Sequence, residues 1–155
     1  MLSEQFFKDL DLWSQSSGRG DLKEIRALVE PLRDLYNPWV SHGDFVPWHV
    51  IIHGQQLVLI DGEHAWSGRP RYYDVAYFYH RVAISAARPD LAKIFLAEFK
   101  ALLPKEEASS FDERFLPVIA SRSIAGFYDA TLFEDQKKVL DKHEQLRQII
   151  LSEDL

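Results

Sequence analysis

The chain has no cysteine and a single methionine in 155 residues. Without thiols there is no disulfide framework, no cysteine-bound zinc and no thiol nucleophile. Basic residues are in deficit, with Lys plus Arg at 18 against 24 for Asp plus Glu, a formal net charge of −6. Nucleic-acid binders carry a basic patch or stripe, so this balance points away from a nucleic-acid partner; it is compatible with a cationic ligand. Long apolar runs are missing as well, and none approaches the ~20 residues that span a bilayer. Met1 to Trp13 alternates acidic and apolar side chains in place of a basic stretch followed by an apolar one, so no export signal is expected. The expectation is a cytoplasmic protein with no membrane association. What is present, 46% hydrophobic and 27% charged residues without repeats or linkers, suits one domain over 1–155.

Periodicity predicts mostly helix. Over 3–14, Ser3 is placed to cap, and Phe6, Phe7, Leu10 and Trp13 recur at helical spacing. Residues 16–20 read as a turn. Asp21 and Glu24 have capping-box spacing ahead of Ile25, Leu28, Val29, Leu32 and Leu35, with Pro31 set to kink or restart the helix. The middle third changes period. Residues 49–52 and 56–60 are β-branched or Leu-rich runs flanking His53-Gly54-Gln55, which reads as a β-hairpin. A polar loop with Gly62, Gly68 and Pro70 follows. Helices are expected again over 72–86 and from Pro89 to Pro104, with Leu91, Ile94, Phe95, Phe99 and Leu102 inward. Two more are expected over 112–132, broken at Pro117 and Gly126, and over 134–151, with Val139, Leu146, Ile149 and Ile150 on the apolar stripe. The fold class is mainly α with a small β-hairpin.

The polar residues of interest crowd into 41–74. His42-Gly43-Asp44 is followed by His49, five residues after Asp44, then by the hairpin, and then by Asp61, 12 residues after His49, and Glu63. Two carboxylates on either side of a hairpin are held apart on rigid backbone. Phosphoryl transfer needs that arrangement, one carboxylate meeting an acceptor hydroxyl and the other holding a cation against phosphate charge. The string His42-Gly43-Asp44, the strand from Leu57 to Asp61, Glu63 and Gly68-x-Pro70-x-x-x-Asp74 together resemble the aminoglycoside phosphotransferase and choline kinase family. That family is the small-molecule branch of the protein-kinase-like fold, and the likeness is to its C-terminal lobe. The resemblance implies Asp44 as the catalytic carboxylate, Asp61 as the metal ligand and Glu63 as an auxiliary acidic group. It implies His42 and Asp74 as structural supports of the loop, Mg²⁺ or Mn²⁺ with ATP as cofactors, and a small-molecule hydroxyl as substrate, a cationic one fitting the charge balance.

Three departures from the family pattern carry expectations of their own. His49 stands where the family has Asn, and the chain's one asparagine, Asn37, lies upstream of the motif. Because Mg²⁺ prefers oxygen, either the second metal contact is lost, or His49 serves as a ligand to a softer ion such as Mn²⁺, or water fills the place. Gly62 replaces an aromatic residue. Only 41 residues precede His42, and they read as helices, so the strand-rich lobe that grips the nucleotide is expected to be absent. Gly18-x-Gly20 lies between helices and is no phosphate loop. A partner chain or a homodimer is expected to cover the face that this lobe would occupy. Two other readings stand beside the kinase. One is a non-catalytic binding or scaffold domain on the same fold. The other is a metal-dependent hydrolase using His42, His49, His53 and His64 with Asp44, Asp61 and Glu63. The aromatic run Tyr72, Tyr73, Tyr77, Phe78 and Tyr79 reads as core, Trp48 and Trp66 flank the candidate site, and Glu106, Glu107, Asp112 and Glu113 read as a solvated face.

Overall fold

The computed structural model describes residues 2–132, 136–153 and 155. Its elements run α1 (Leu2–Ser16), α2 (Lys23–Val29), α3 (Leu32–Leu35), β1 (Pro38–Ser41), β2 (Val50–His53), β3 (Gln56–Leu59), β4 (Trp66–Pro70), α4 (Tyr73–Ile84), α5 (Pro89–Ala101), α6 (Lys105–Ser109), α7 (Phe111–Ala130) and α8 (Gln136–Leu151). The fold is mainly helical, as the periodicity predicts.

The axis is α7. Its buried residues fall on every side, from Phe111 and Phe115 through Ile119 and Ile124 to Phe127, and a helix that is apolar all round belongs in the middle. It packs against α1, α2, α4 and α8. The expected breaks at Pro117 and Gly126 do not occur. Pro117 removes one hydrogen bond to the carbonyl of Glu113, a residue on the exposed side of the helix. Gly126 is there for space: a Cβ would stand 2.5 Å from the His143 ring and 2.6 Å from the His80 ring. Those imidazoles stack, with His80 Nε2 3.3 Å from His143 Nδ1. Burial pushes His80 well below the usual histidine range and His143 down to about 4, and the neighbouring Arg122 and Arg81 act in the same direction.

Other expectations also change. The capping box before α2 does not form, because Arg19 takes the Asp21 carboxylate and the chain enters α2 through a 3₁₀ turn, Gly20–Leu22. Pro31 does restart the helix, between α2 and α3. Because α5 packs chiefly on α4, it buries a narrow stripe of Ala92 and Leu96 with Phe95 and Phe99 beside it, leaving Leu91, Ile94 and Leu102 exposed. The start expected at Glu134 lies outside the described residues. The segment read as a polar loop contains β4, which pairs antiparallel with β1, Pro38 opposite Pro70 and Ser41 opposite Trp66. The hairpin forms as read: β2 and β3 pair from Val50–Leu59 to His53–Gln56 around Gly54-Gln55. This hairpin stands away from the core, and Ile52 and Leu57 are 75% and 72% exposed. No described helix is long and apolar enough to cross a membrane.

Candidate functional site

A carboxylate clamp shapes the loop that begins at His42. Asp74, in the first turn of α4, accepts hydrogen bonds from the backbone N–H of His42 at 2.7 Å and of Gly43 at 2.9 Å, one to each oxygen. Two charge-assisted bonds fix the loop against the helix start. Gly43 has φ +86°, and a Cβ there would lie 2.3 Å from both Arg69 Nη1 and the His64 carbonyl oxygen, so only glycine fits. The β1–β4 pairing brings up Arg69, which donates to Ser41 Oγ at 3.2 Å and to the His64 carbonyl at 2.8 Å. Behind the loop Val46 is fully buried and Phe45 rests on Phe78, ring centroids 4.9 Å apart. His42 reaches the other way, its Nε2 2.9 Å from the Ile60 carbonyl, which ties the loop to the end of the hairpin.

These contacts converge three residues. His49 Nδ1 lies 3.0 Å from the Asp44 carbonyl oxygen and 3.5 Å from Asp44 Oδ2, while its Nε2 lies 3.2 Å from Asp61 Oδ2. One ligand atom from each of Asp44, His49 and Asp61 falls within 4.8 Å of the others. The backbone carbonyl assigns the proton of a neutral ring to Nδ1. The Nε2 lone pair then faces a carboxylate oxygen, an arrangement that repels unless a second proton or a cation lies between them. The donor set, two carboxylates and one imidazole, fits a divalent ion, and its nitrogen favours Mn²⁺ over Mg²⁺. Access is graded: the side chains of His49, Asp44 and Asp61 are 13%, 24% and 48% exposed. Asp61 has a left-handed backbone, φ +66° and ψ +51°, costing roughly 1 kcal/mol for a residue with a Cβ.

Glu63 does not join this cluster. It sits in a short 3₁₀ turn, Gly62–His64, is exposed, and its carboxylate lies 3.6 Å from His64 Nε2. His53 lies at the tip of the hairpin. Of the seven residues weighed for a hydrolase-type site, three converge.

Sequence reading missed two contributors. Tyr77, grouped with the core aromatics, lies near enough to Asp44 for the two groups to interact; burial, ahead of any charge effect, pushes its phenol up to about 12, and Asp44 acts in the same direction. Its signal was the spacing Asp74-x-x-Tyr77, which puts both side chains on one face of α4. Arg122, in α7, stacks over the Tyr77 ring at 4.5 Å; nothing local in the sequence marks it. No protein-family model, curated protein or solved structure matches the chain.

Proposed function

We propose that this domain carries the acceptor and metal side of a phosphotransferase that moves a phosphoryl group from ATP to the hydroxyl of a small molecule. The observation behind this reading is the convergence of Asp44, His49 and Asp61 around one point. Asp44 is the candidate base because its loop is clamped by Asp74 through the His42 and Gly43 backbone N–H groups. Its carboxylate aligns the acceptor hydroxyl and takes the proton as the oxygen bonds to the γ-phosphorus and the bond from that phosphorus to ADP breaks, releasing ADP. Asp61 and His49 hold the divalent ion, Mn²⁺ or Mg²⁺, which when bound neutralises charge on the nucleotide phosphates. His42 keeps the two halves in register through the Ile60 carbonyl. The exposed apolar hairpin is the face a nucleotide-gripping partner, either another chain or a second copy, would cover.

The test is thermal unfolding with millimolar ATP plus Mg²⁺ or Mn²⁺. Binding to the native state alone raises stability by about 2.7 kcal/mol at a hundredfold excess over Kd. A rise of several degrees, larger with Mn²⁺ and absent in Asp61→Ala, is the expected result. No rise with either ion overturns the reading in favour of a non-catalytic domain. A rise that survives Asp61→Ala overturns the metal assignment.

A further inference from the structure

A second polar feature lies one aromatic ring behind Asp44. Arg122 is 4% exposed, in the middle of α7, and lines a cavity of about 270 Å³ that also reaches Gly43 and Tyr77. A guanidinium offers five N–H donors and stays charged. The partners of Arg122 are few: Nη1 donates to the Tyr73 phenol at 3.3 Å, and Nη2 lies 3.7 Å from Asp129 Oδ2. Its Nε is buried with no hydrogen-bond partner among the described residues. Two tyrosine faces, Tyr77 at 4.5 Å and Tyr73 at 5.7 Å, cover the plane of the group. A buried cation with so little pairing is costly unless another anion completes it, and the planar fork is shaped for a carboxylate.

The rest of the cavity constrains that anion's owner. Arg69 adds a second cation to the lining, while Asp9 and Asp129 supply two carboxylates. Charges of both signs in one small space suit a ligand that carries both. Trp13 and Trp66 also line the cavity. A space of about 270 Å³ is at the lower end of ligand-site volumes, which suits a small ligand.

We propose that this cavity binds the acceptor, and that the acceptor is a small hydroxylated zwitterion of the amino-acid class, its carboxylate on Arg122, its ammonium between Asp9 and Asp129, and its hydroxyl directed past Tyr77 to Asp44. The hydroxyl placement rests on the phosphotransferase reading; the binding does not. The position of Tyr77 follows from it. Its ring covers the Arg122 guanidinium at 4.5 Å, and it shares the cavity wall with Gly43, the neighbour of Asp44, so one side chain lies between the anchored end of the ligand and the reacting end in the proposed pose.

The test uses the unmodified protein without nucleotide or metal. Free hydroxy amino acids from L-serine to 5-hydroxy-L-lysine are titrated, each beside its carboxamide and its N-acetyl derivative, with tryptophan emission and saturation-transfer NMR as readouts. At least one free amino acid binds, and its carboxamide and its N-acetyl form each bind at least tenfold more weakly. Arg122→Lys, checked for native circular dichroism, costs the amino acid tenfold and leaves the carboxamide unchanged. Equal affinity for acid and carboxamide overturns the role of Arg122, whether or not the variant folds. Equal affinity for the N-acetyl form overturns the role of the two aspartates. No binding by any member at 10-fold below its solubility limit overturns the whole. Because nucleotide and metal are left out, failure here leaves the ATP result standing, and failure with ATP leaves this one standing.

Discussion

The two carboxylates of the site sit on very different supports. Asp44 belongs to a loop that is clamped by Asp74 from the start of α4 and backed by fully buried Val46. Asp61 belongs to the end of a hairpin whose apolar side chains face solvent, and its own backbone is left-handed. One half of the site is held by the domain; the other is held by His42 and His49, which cross from the first half. On the proposed phosphotransferase reading, the side assigned to the acceptor is the clamped one and the side assigned to the nucleotide is the open one.

Substitutions that break one side and spare the other test this contrast. The largest effect is expected for Gly43→Ala. Positive φ and overlap with backbone and guanidinium atoms cost about 3–4 kcal/mol, roughly 10 °C in Tm. Gly54→Ala, with φ +62° but nothing within 4 Å of the new Cβ, costs about 1 kcal/mol. Equal losses at the two glycines would erase the distinction between clamped loop and free hairpin. Next comes Asp74→Ala, which strands two backbone N–H groups and costs about 2–3 kcal/mol in urea unfolding. It also weakens any ligand that reads Asp44, because the loop loses its shape.

The core offers a pH test. The stacked His80 and His143 are held neutral by burial, and both pKa values lie below that of an unfolded histidine, about 6.5. The unfolded chain therefore binds protons below pH 6.5 that the native state refuses, His143 until near pH 4 and His80 also well below its usual range. Stability is full above 6.5 and falls as the pH drops below it. Unfolding free energies from urea titrations at pH 7 and pH 5 are expected to differ by about 2 kcal/mol for each of the two histidines, about 4 kcal/mol together, with the acid condition weaker. Unchanged values would mean that the pair is solvated.

The smallest effect on stability carries the sharpest contrast with function. Asp61→Gly removes the metal ligand and also relieves the left-handed strain. Stability without metal stays within about 1 kcal/mol of the parent, in the upward direction. The metal-dependent rise in Tm disappears. A large destabilisation would show that Asp61 supports the fold, and that the hairpin side is no looser than the other.

Much of this layout is legible along the chain. Helical spacing marks α1, α4 and α8, the β-branched runs mark the hairpin, and Asp44, His49 and Asp61 stand out by type and interval. What is not legible depends on neighbours distant in sequence. β4 reads as polar loop because Trp66–Pro70 has no strand period of its own; it becomes a strand by lying against β1. Pro117 and Gly126 look like breaks, yet the apolar girth of α7 and the close approach of two imidazoles keep the helix whole. Glu63 looks like part of the acidic set, but a 3₁₀ turn carries it out to solvent.

Sequence alone thus determined the helical class and the trio of metal-compatible residues, because both are written in local spacing. Tertiary structure decided which groups surround that trio. Tyr77 and Arg122 are 33 and 78 residues beyond Asp44, and only the packing of α4 on α7 brings the Tyr77 ring and the buried Arg122 guanidinium together beside the loop. Burial and charge proximity are properties of the folded neighbourhood, which no interval along the chain encodes.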